Sequence, residues 1–221
     1  MRELNLRHFQ KFHEFKSQAT KWRGFNVHAW AVQVTGEHWG QLRDVGAVDR
    51  TGLREICATA SPEVVFLAVM AWGGKNRDHA RACWNHSLRG ELMEAIAELP
   101  RFESLGDAYE RFATLRARGL PGLGPAYYTK LIHFAAPQLS GYMMDQWLAR
   151  SINLLYGPVI HLNGTHVSDR NSRDVYEEFC LLVDALAKRS KDIGEQTEQA
   201  LFSEGRGRGL WRNYLIAAEA A

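Results

Sequence analysis

The sequence predicts a mainly α-helical fold with a small irregular or β element near residues 24–52. Two observations carry that prediction. Apolar residues recur three and four apart over most of the chain, and these stretches open on a capping residue or a proline and stop at glycine or proline. The clearest follows Ser61-Pro62, a cap with proline at the first helical position, runs from Glu63 to Met70 and stops at Gly73-Gly74, which makes a central, largely buried helix. Leu88, Leu92, Ala95, Ile96 and Leu99 form the apolar stripe of a second helix that ends before Pro100. Ser104, with Asp107 three residues on, opens a third, whose stripe is Tyr109, Phe112 and Leu115 and which ends at Gly119. The turn Gly119-Leu120-Pro121-Gly122-Leu123-Gly124-Pro125 leads to a helix from Pro125 to Ala135. It stops at Ala136-Pro137, because a residue before proline is pushed out of the helical region. Another helix begins near Asp145 and carries Trp147, Leu148, Ser151, Ile152 and Leu155 to Gly157-Pro158. After a polar loop, Asp169 to Arg189 reads as a helix on Val175, Phe179, Leu182 and Leu186, and two shorter helices near 194–203 and 210–220 follow. In residues 24–52, Val27, Ala29, Ala31 and Gln33-Val34 hint at alternation, which suggests a strand or an irregular segment.

Composition bounds the function classes. The 221 residues carry 27 Lys+Arg against 25 Asp+Glu, a formal charge of +2, and 46% are hydrophobic, so a mainly disordered chain is excluded. The longest apolar run, Val64 to Trp72, is nine residues, less than half of a bilayer-spanning helix. Residues 1–15 scatter charges and hold no apolar leader core, so the expected location is cytoplasmic, at the nucleoid if the source is bacterial. Cys57, Cys83 and Cys180 are too few and too scattered for a disulfide framework or an iron–sulfur cluster. The nine histidines include no HxxxH or HExxH, so no zinc site is expected. A charge of +2 permits nucleic-acid binding without demanding it.

The turn at 119–125 is where chemistry enters. Two glycines separated by one apolar residue let the backbone turn tightly with its N–H groups outward, and the start of the next helix adds the positive end of a dipole. Such a surface holds a phosphate. Arg111, Arg116 and Arg118, three cations in eight residues without an acid, precede it. A plain helix-to-helix turn is the competing reading. Asp145 lies 21 residues beyond Gly124, at the N-cap of the next helix between Met143-Met144 and Trp147. It is either a fixed anion near the phosphate-gripping turn or a simple cap.

Hairpin, helix and aspartate in this order resemble the helix-hairpin-helix DNA glycosylase superfamily, whose hallmark is a hairpin of the L-P-G-hydrophobic-G type followed by an aspartate some twenty residues on. The strings Gly122-Leu123-Gly124-Pro125-Ala126-Tyr127-Tyr128-Thr129-Lys130-Leu131 and Met144-Asp145-Gln146-Trp147-Leu148-Ala149-Arg150 are similar to a group of bacterial proteins described as 8-oxoguanine glycosylases. The resemblance is specific from Gly119 to Asn153. It implies a two-lobed helical glycosylase unit spanning 1–221, with the helix-hairpin-helix and aspartate region at about 104–156. It further implies a monomer acting on double-stranded DNA, with a modified base flipped out of the stack. Carried over, Gly122 and Gly124 hold the phosphate with Arg116 and Arg118 beside them, and Asp145 is the catalytic carboxylate. No cofactor is required, while the carbonyls of Arg118, Leu120 and Leu123 are a site for a structural potassium or sodium ion.

One departure matters. Bifunctional relatives carry the nucleophilic lysine two positions after the second hairpin glycine, where this chain has Ala126. Lys130 lies one turn further along the same helix face. To attack sugar C1′ near neutral pH its ordinary value of about 10.4 has to fall by about three units, through burial or neighbouring cations. The alternative is a lysine paired to a carboxylate or snorkelling at the helix edge. Trp72, Tyr127, His133, Trp211 and Asn213 are candidates for the base pocket, with Lys75 and Arg77 reaching phosphates beside Trp72. Against that, Trp72 reads more readily as a core tryptophan before a helix stop, and His133 as a satisfied structural histidine. The basic run Gly205 to Arg212 and the six Lys/Arg among the first 23 residues are further candidates for DNA contact or plain solvated segments. The expected activity is excision of a modified base, 8-oxoguanine first, with strand cleavage through a Schiff base on Lys130. Alternatives are a glycosylase for modified bases of foreign phage DNA and a non-catalytic helix-hairpin-helix DNA-binding protein.

Overall fold

A computed structural model describes residues 2–16, 22–203 and 209–220, and the chain is mainly helical with one two-stranded sheet among them. It divides into two compact units, Trp22–Gly141 and Met1–Lys21 with Tyr142–Ala221.

In the unit Trp22–Gly141 the helices are α2 (Val27–Thr35), α3 (Arg50–Thr59), α4 (Pro62–Trp72), α5 (Arg77–Trp84), α6 (Arg89–Glu98), α7 (Leu105–Ala117) and α8 (Pro125–Ala135). Every residue from Val64 to Trp72 is buried, because α4 is apolar all round and α2, α3, α6 and α8 pack about it. Each buried Phe, Leu, Val or Met contributes about 1.5–3 kcal/mol relative to exposure, so α4 is the energetic centre of this unit.

Residues 27–35 correct the sequence expectation. They form a helix, and the buried positions are Val27, Trp30, Ala31 and Val34, spaced three and four apart. Asn26 decides the matter: its Oδ1 accepts the Ala29 N–H at 2.8 Å and closes the first turn. The irregular parts of 24–52 are 24–26 and 36–49, with a 3₁₀ turn at Gly40–Leu42 and an isolated bridge that joins Asn26 to Ala47.

The other unit contains α1 (Leu6–Phe15), α9 (Gln146–Tyr156), a hairpin of β1 (Leu162–Asn163) with β2 (His166–Val167), α10 (Arg173–Ser190), α11 (Gly194–Phe202) and α12 (Leu210–Glu219). Here α9 is central and packs against α1, α10, α11 and α12. The β hairpin falls in what reads as a polar loop. The α10 helix starts at Arg173, not Asp169, because Asn171 ties residues 161–171 into a turn through the His161 N–H at 2.8 Å and the Ser168 carbonyl at 2.7 Å. Of the N-terminal cations, Arg2 pairs with Glu178 at 2.7 Å and Lys16 with Asp192 at 2.5 Å, while Lys21 lies outside the described residues. No described helix is long and apolar enough to cross a membrane.

Candidate active site

The hairpin is built by the end of α7. Gly119 takes φ 99°, its N–H donates to the Arg116 carbonyl at 3.0 Å, and the Leu120 N–H donates to the Leu115 carbonyl at 3.1 Å, the paired bonds of a Schellman stop. Leu120 and Leu123 are buried and pin the turn to the core. Gly122 sits at φ 70°, and a Cβ there would lie 2.6 Å from the His79 carbonyl oxygen, so only glycine fits. Among the described residues the N–H groups of Gly122, Leu123 and Gly124 donate to no acceptor, and they lead directly into the N-terminus of α8. Successive open N–H groups at a helix start are the physical form of an anion site.

The cations around this turn are more committed than the sequence suggests. Arg118 forms an exposed two-bonded pair with Glu91, and Arg111 pairs with Glu98 at 2.9 Å, so carboxylates of the preceding helix offset two of the three charges. Arg116 donates from Nη1 to the Leu120 carbonyl at 3.0 Å. That oxygen already faces a guanidinium, so a potassium or sodium ion sharing it would sit against a fixed positive charge. Of the three carbonyls of Arg118, Leu120 and Leu123, that of Leu120 is thus already engaged.

Lys130 is buried on α8, 8% exposed, with Nζ donating to the Ala126 carbonyl at 2.6 Å and lying 5.3 Å from the Tyr127 ring centre. It is not at the helix edge. Lys75 is the residue whose importance is not visible in the sequence. It is 1% exposed and turned inward, with Nζ donating to the Gly122 carbonyl and standing 3.9 Å from the Tyr127 centre. This corrects its expected role as a phosphate contact. Arg77 likewise stands 5.3 Å from the Phe25 ring. The one available signal was Gly73-Gly74 ahead of Lys75, since Gly73 leaves room for the Lys130 stem.

His133, one turn past Lys130, is buried and satisfied: Nδ1 lies 2.7 Å from the Gly141 carbonyl, and Nε2 is approached by Arg50 at 3.3 Å and Arg54 at 3.4 Å. Nδ1 therefore carries the proton and Nε2 accepts. Trp72 is 4% exposed, edge-on to Phe134 at 4.8 Å, with Arg50 stacked on it at 5.6 Å; it is a core ring, not an open wall.

In the other unit Asp145 caps α9, half-buried, with Oδ1 accepting the Trp147 N–H at 2.8 Å and the Leu148 N–H at 3.1 Å. Two N–H bonds at a helix N-terminus favour the ionised carboxylate. Arg212 is its charged neighbour: burial lowers the guanidinium from its ordinary value, Asp145 opposes that shift and Arg150 adds to it. Arg212 and Arg150 stack on Trp147, at 4.1 and 4.5 Å from its ring centre. No local sequence signal assigns Arg212 this place. Trp211 is corrected to core: it is fully buried, and its Nε1 donates to Ser151 Oγ at 2.9 Å. Asn213 is exposed on α12. Arg206 and Arg208 of the C-terminal basic run lie outside the described residues. The structure thus gathers Gly122, Tyr127, Lys130 and Lys75 in one unit and Asp145, Trp147 and Arg212 in the other.

Comparison with known proteins yields one family. Residues 12–202 match the family model described as "Putative 8-oxoguanine DNA glycosylase OGG-like protein". No curated protein and no solved structure matches the chain.

Proposed function

Since the chain belongs to this OGG-like DNA glycosylase family, we propose that it acts as a monomer on double-stranded DNA, excises 8-oxoguanine and then nicks the strand. The observation that carries the reading is the open N–H run of Gly122 to Gly124 followed, on the helix it starts, by the buried amine of Lys130. The hairpin N–H groups hold a phosphate and fix the strand, while the flipped nucleotide presents C1′. The Lys130 amine attacks C1′ as the bond to the base breaks, and the base leaves with a proton. Ring opening then gives a Schiff base. Loss of a C2′ proton expels the 3′ phosphate, and water releases the lysine. Asp145, ionised at its cap, stabilises the positive charge that develops on the sugar.

The test is a panel of duplex oligonucleotides, each carrying one modified base, scored separately for base release and strand cleavage. Release and cleavage from the 8-oxoguanine duplex are expected. Tight binding with no release from any duplex would contradict the reading.

A further inference from the structure

Lys75 is a buried residue with a place in the hairpin that the chemistry above leaves unused. At 1% exposed it cannot touch a phosphate itself. Its Nζ donates to the Gly122 carbonyl and stands 3.9 Å from the centre of the Tyr127 ring, and among the described residues no carboxylate pairs with it. That carbonyl belongs to the peptide whose other end is the Leu123 N–H, the middle member of the open run from Gly122 to Gly124. The peptide is trans, so its C=O and N–H point in opposite directions and the N–H is directed away from the ammonium. The other engaged carbonyl gives a contrast. Arg116 reaches the Leu120 carbonyl in the same way, but the nitrogen of that peptide belongs to Pro121 and carries no hydrogen to offer.

Resting on the reading of Gly122 to Gly124 as a phosphate site, we propose that Lys75 is the positioning residue of that site, a cation behind the hairpin that acts on the phosphate through the Gly122–Leu123 peptide. An ammonium on the carbonyl oxygen draws electron density from the amide, which makes the N–H at the other end a stronger donor. A bond from a charged donor also exceeds a neutral one, so it fixes the plane of the peptide and the direction of that N–H. The charge itself attracts the phosphate across buried peptide, where salt screens little. Arg118 and Arg111 are already held by Glu91 and Glu98, whereas no described carboxylate offsets Lys75. The titratable groups around it come from three helices. Burial pulls Lys75 down to about 8, Cys83 of α5 opposes that shift, and Lys130 of α8 and Arg116 of α7 pull the same way. Cys83 is itself pushed up to about 11 by burial and stays a neutral thiol. The ammonium is therefore the main form at pH 7, and it is lost as pH rises through about 8. A bound phosphate favours the ammonium and moves that loss to higher pH.

The experiment measures affinity of the full chain for a duplex carrying one tetrahydrofuran abasic analogue, which has no base to release, with each phosphate near the analogue replaced in turn by a neutral methylphosphonate. In the wild type one position is expected to cost about ten-fold, and Gly122→Ala to lose most of that sensitivity. If no position costs affinity, or if Gly122→Ala keeps the full sensitivity, the hairpin holds no phosphate and this proposal falls with that reading. With the position located, Lys75→Met should bind the all-phosphate duplex about ten-fold more weakly and respond little to the methylphosphonate. Full sensitivity in Lys75→Met overturns the proposal and leaves the phosphate reading standing. A pH series on the wild type needs no variant. Affinity for the all-phosphate duplex should fall several-fold from pH 7 to pH 9.5, and the fall should shrink on the duplex with the methylphosphonate at that position. A neutral amine still donates to the carbonyl, so this arm reads the charge and not the contact. Affinity flat across that range, or a fall of the same size on both duplexes, overturns the role given to Lys75.

Discussion

Asp145 does two things that substitution can separate. As a cap its oxygen holds two N–H groups of α9, and asparagine caps as well as aspartate, whereas alanine loses about 1 kcal/mol. As a carboxylate it carries a charge that asparagine cannot supply. Asp145→Asn is therefore expected to unfold at the wild-type urea concentration, to bind DNA within a few-fold, and to release base slower by orders of magnitude. Unaltered release would remove Asp145 from the chemistry. Lys75 bears on stability with the opposite habit to most charged groups. Its folded value of about 8 lies below the ordinary 10.5, so the unfolded chain binds the extra proton between those two values and stability rises with pH across that window. The drop corresponds to roughly 3 kcal/mol withheld below pH 8, and urea titrations at pH 7 and pH 10 should show the wild type gaining on Lys75→Met. Asp145 was legible in the sequence because capping is local and its spacing from the hairpin is fixed. Lys75 was not, since its burial depends on α7 and α8 arriving beside the end of α4.

At the scale of elements, the hairpin is the feature whose sequence and structure agree most closely. Glycine at 122 answers a positive φ and a carbonyl too near for any Cβ. Gly122→Ala is expected to cost about 1–3 kcal/mol and to weaken DNA binding through the displaced N–H groups; a stable variant with unchanged affinity would show that the turn is not gripping phosphate. The charge on the hairpin was less legible than its shape. Arginines within one stretch read as a positive surface, but Glu91 and Glu98 come from the neighbouring α6 and take two of them. Glu91→Gln should consequently tighten DNA binding several-fold at low salt by freeing Arg118. The α2 helix was misread for a related reason: Val27, Ala29 and Ala31 fit a period of two as well as a helix, and the deciding contact is a side-chain cap at Asn26.

At the scale of the whole molecule, a formal charge of +2 is spread over arginines held by carboxylates, Arg150 with Glu219 at 3.0 Å among them. If the N–H groups of Gly122 to Gly124 hold the phosphate, as proposed, they release few counterions, because N–H donors carry no net charge. The logarithm of DNA affinity should therefore fall with the logarithm of salt at a slope of about −2 to −4, where a surface engaging eight phosphates with cations would give about −7. The division into two units was only partly open to sequence reasoning. Helix order and stops were readable, but nothing local tells α1 to pack against α9 and α12 instead of the helices that follow it.

The central claim, that a hairpin-fixed nucleotide meets the Lys130 amine, is tested most directly by borohydride trapping on a duplex containing 8-oxoguanine. Wild-type chain is expected to form a covalent adduct with the DNA, and Lys130→Gln to form none while still binding the duplex. An undiminished adduct in Lys130→Gln, or base release from the wild type with no adduct at any pH, would contradict the account.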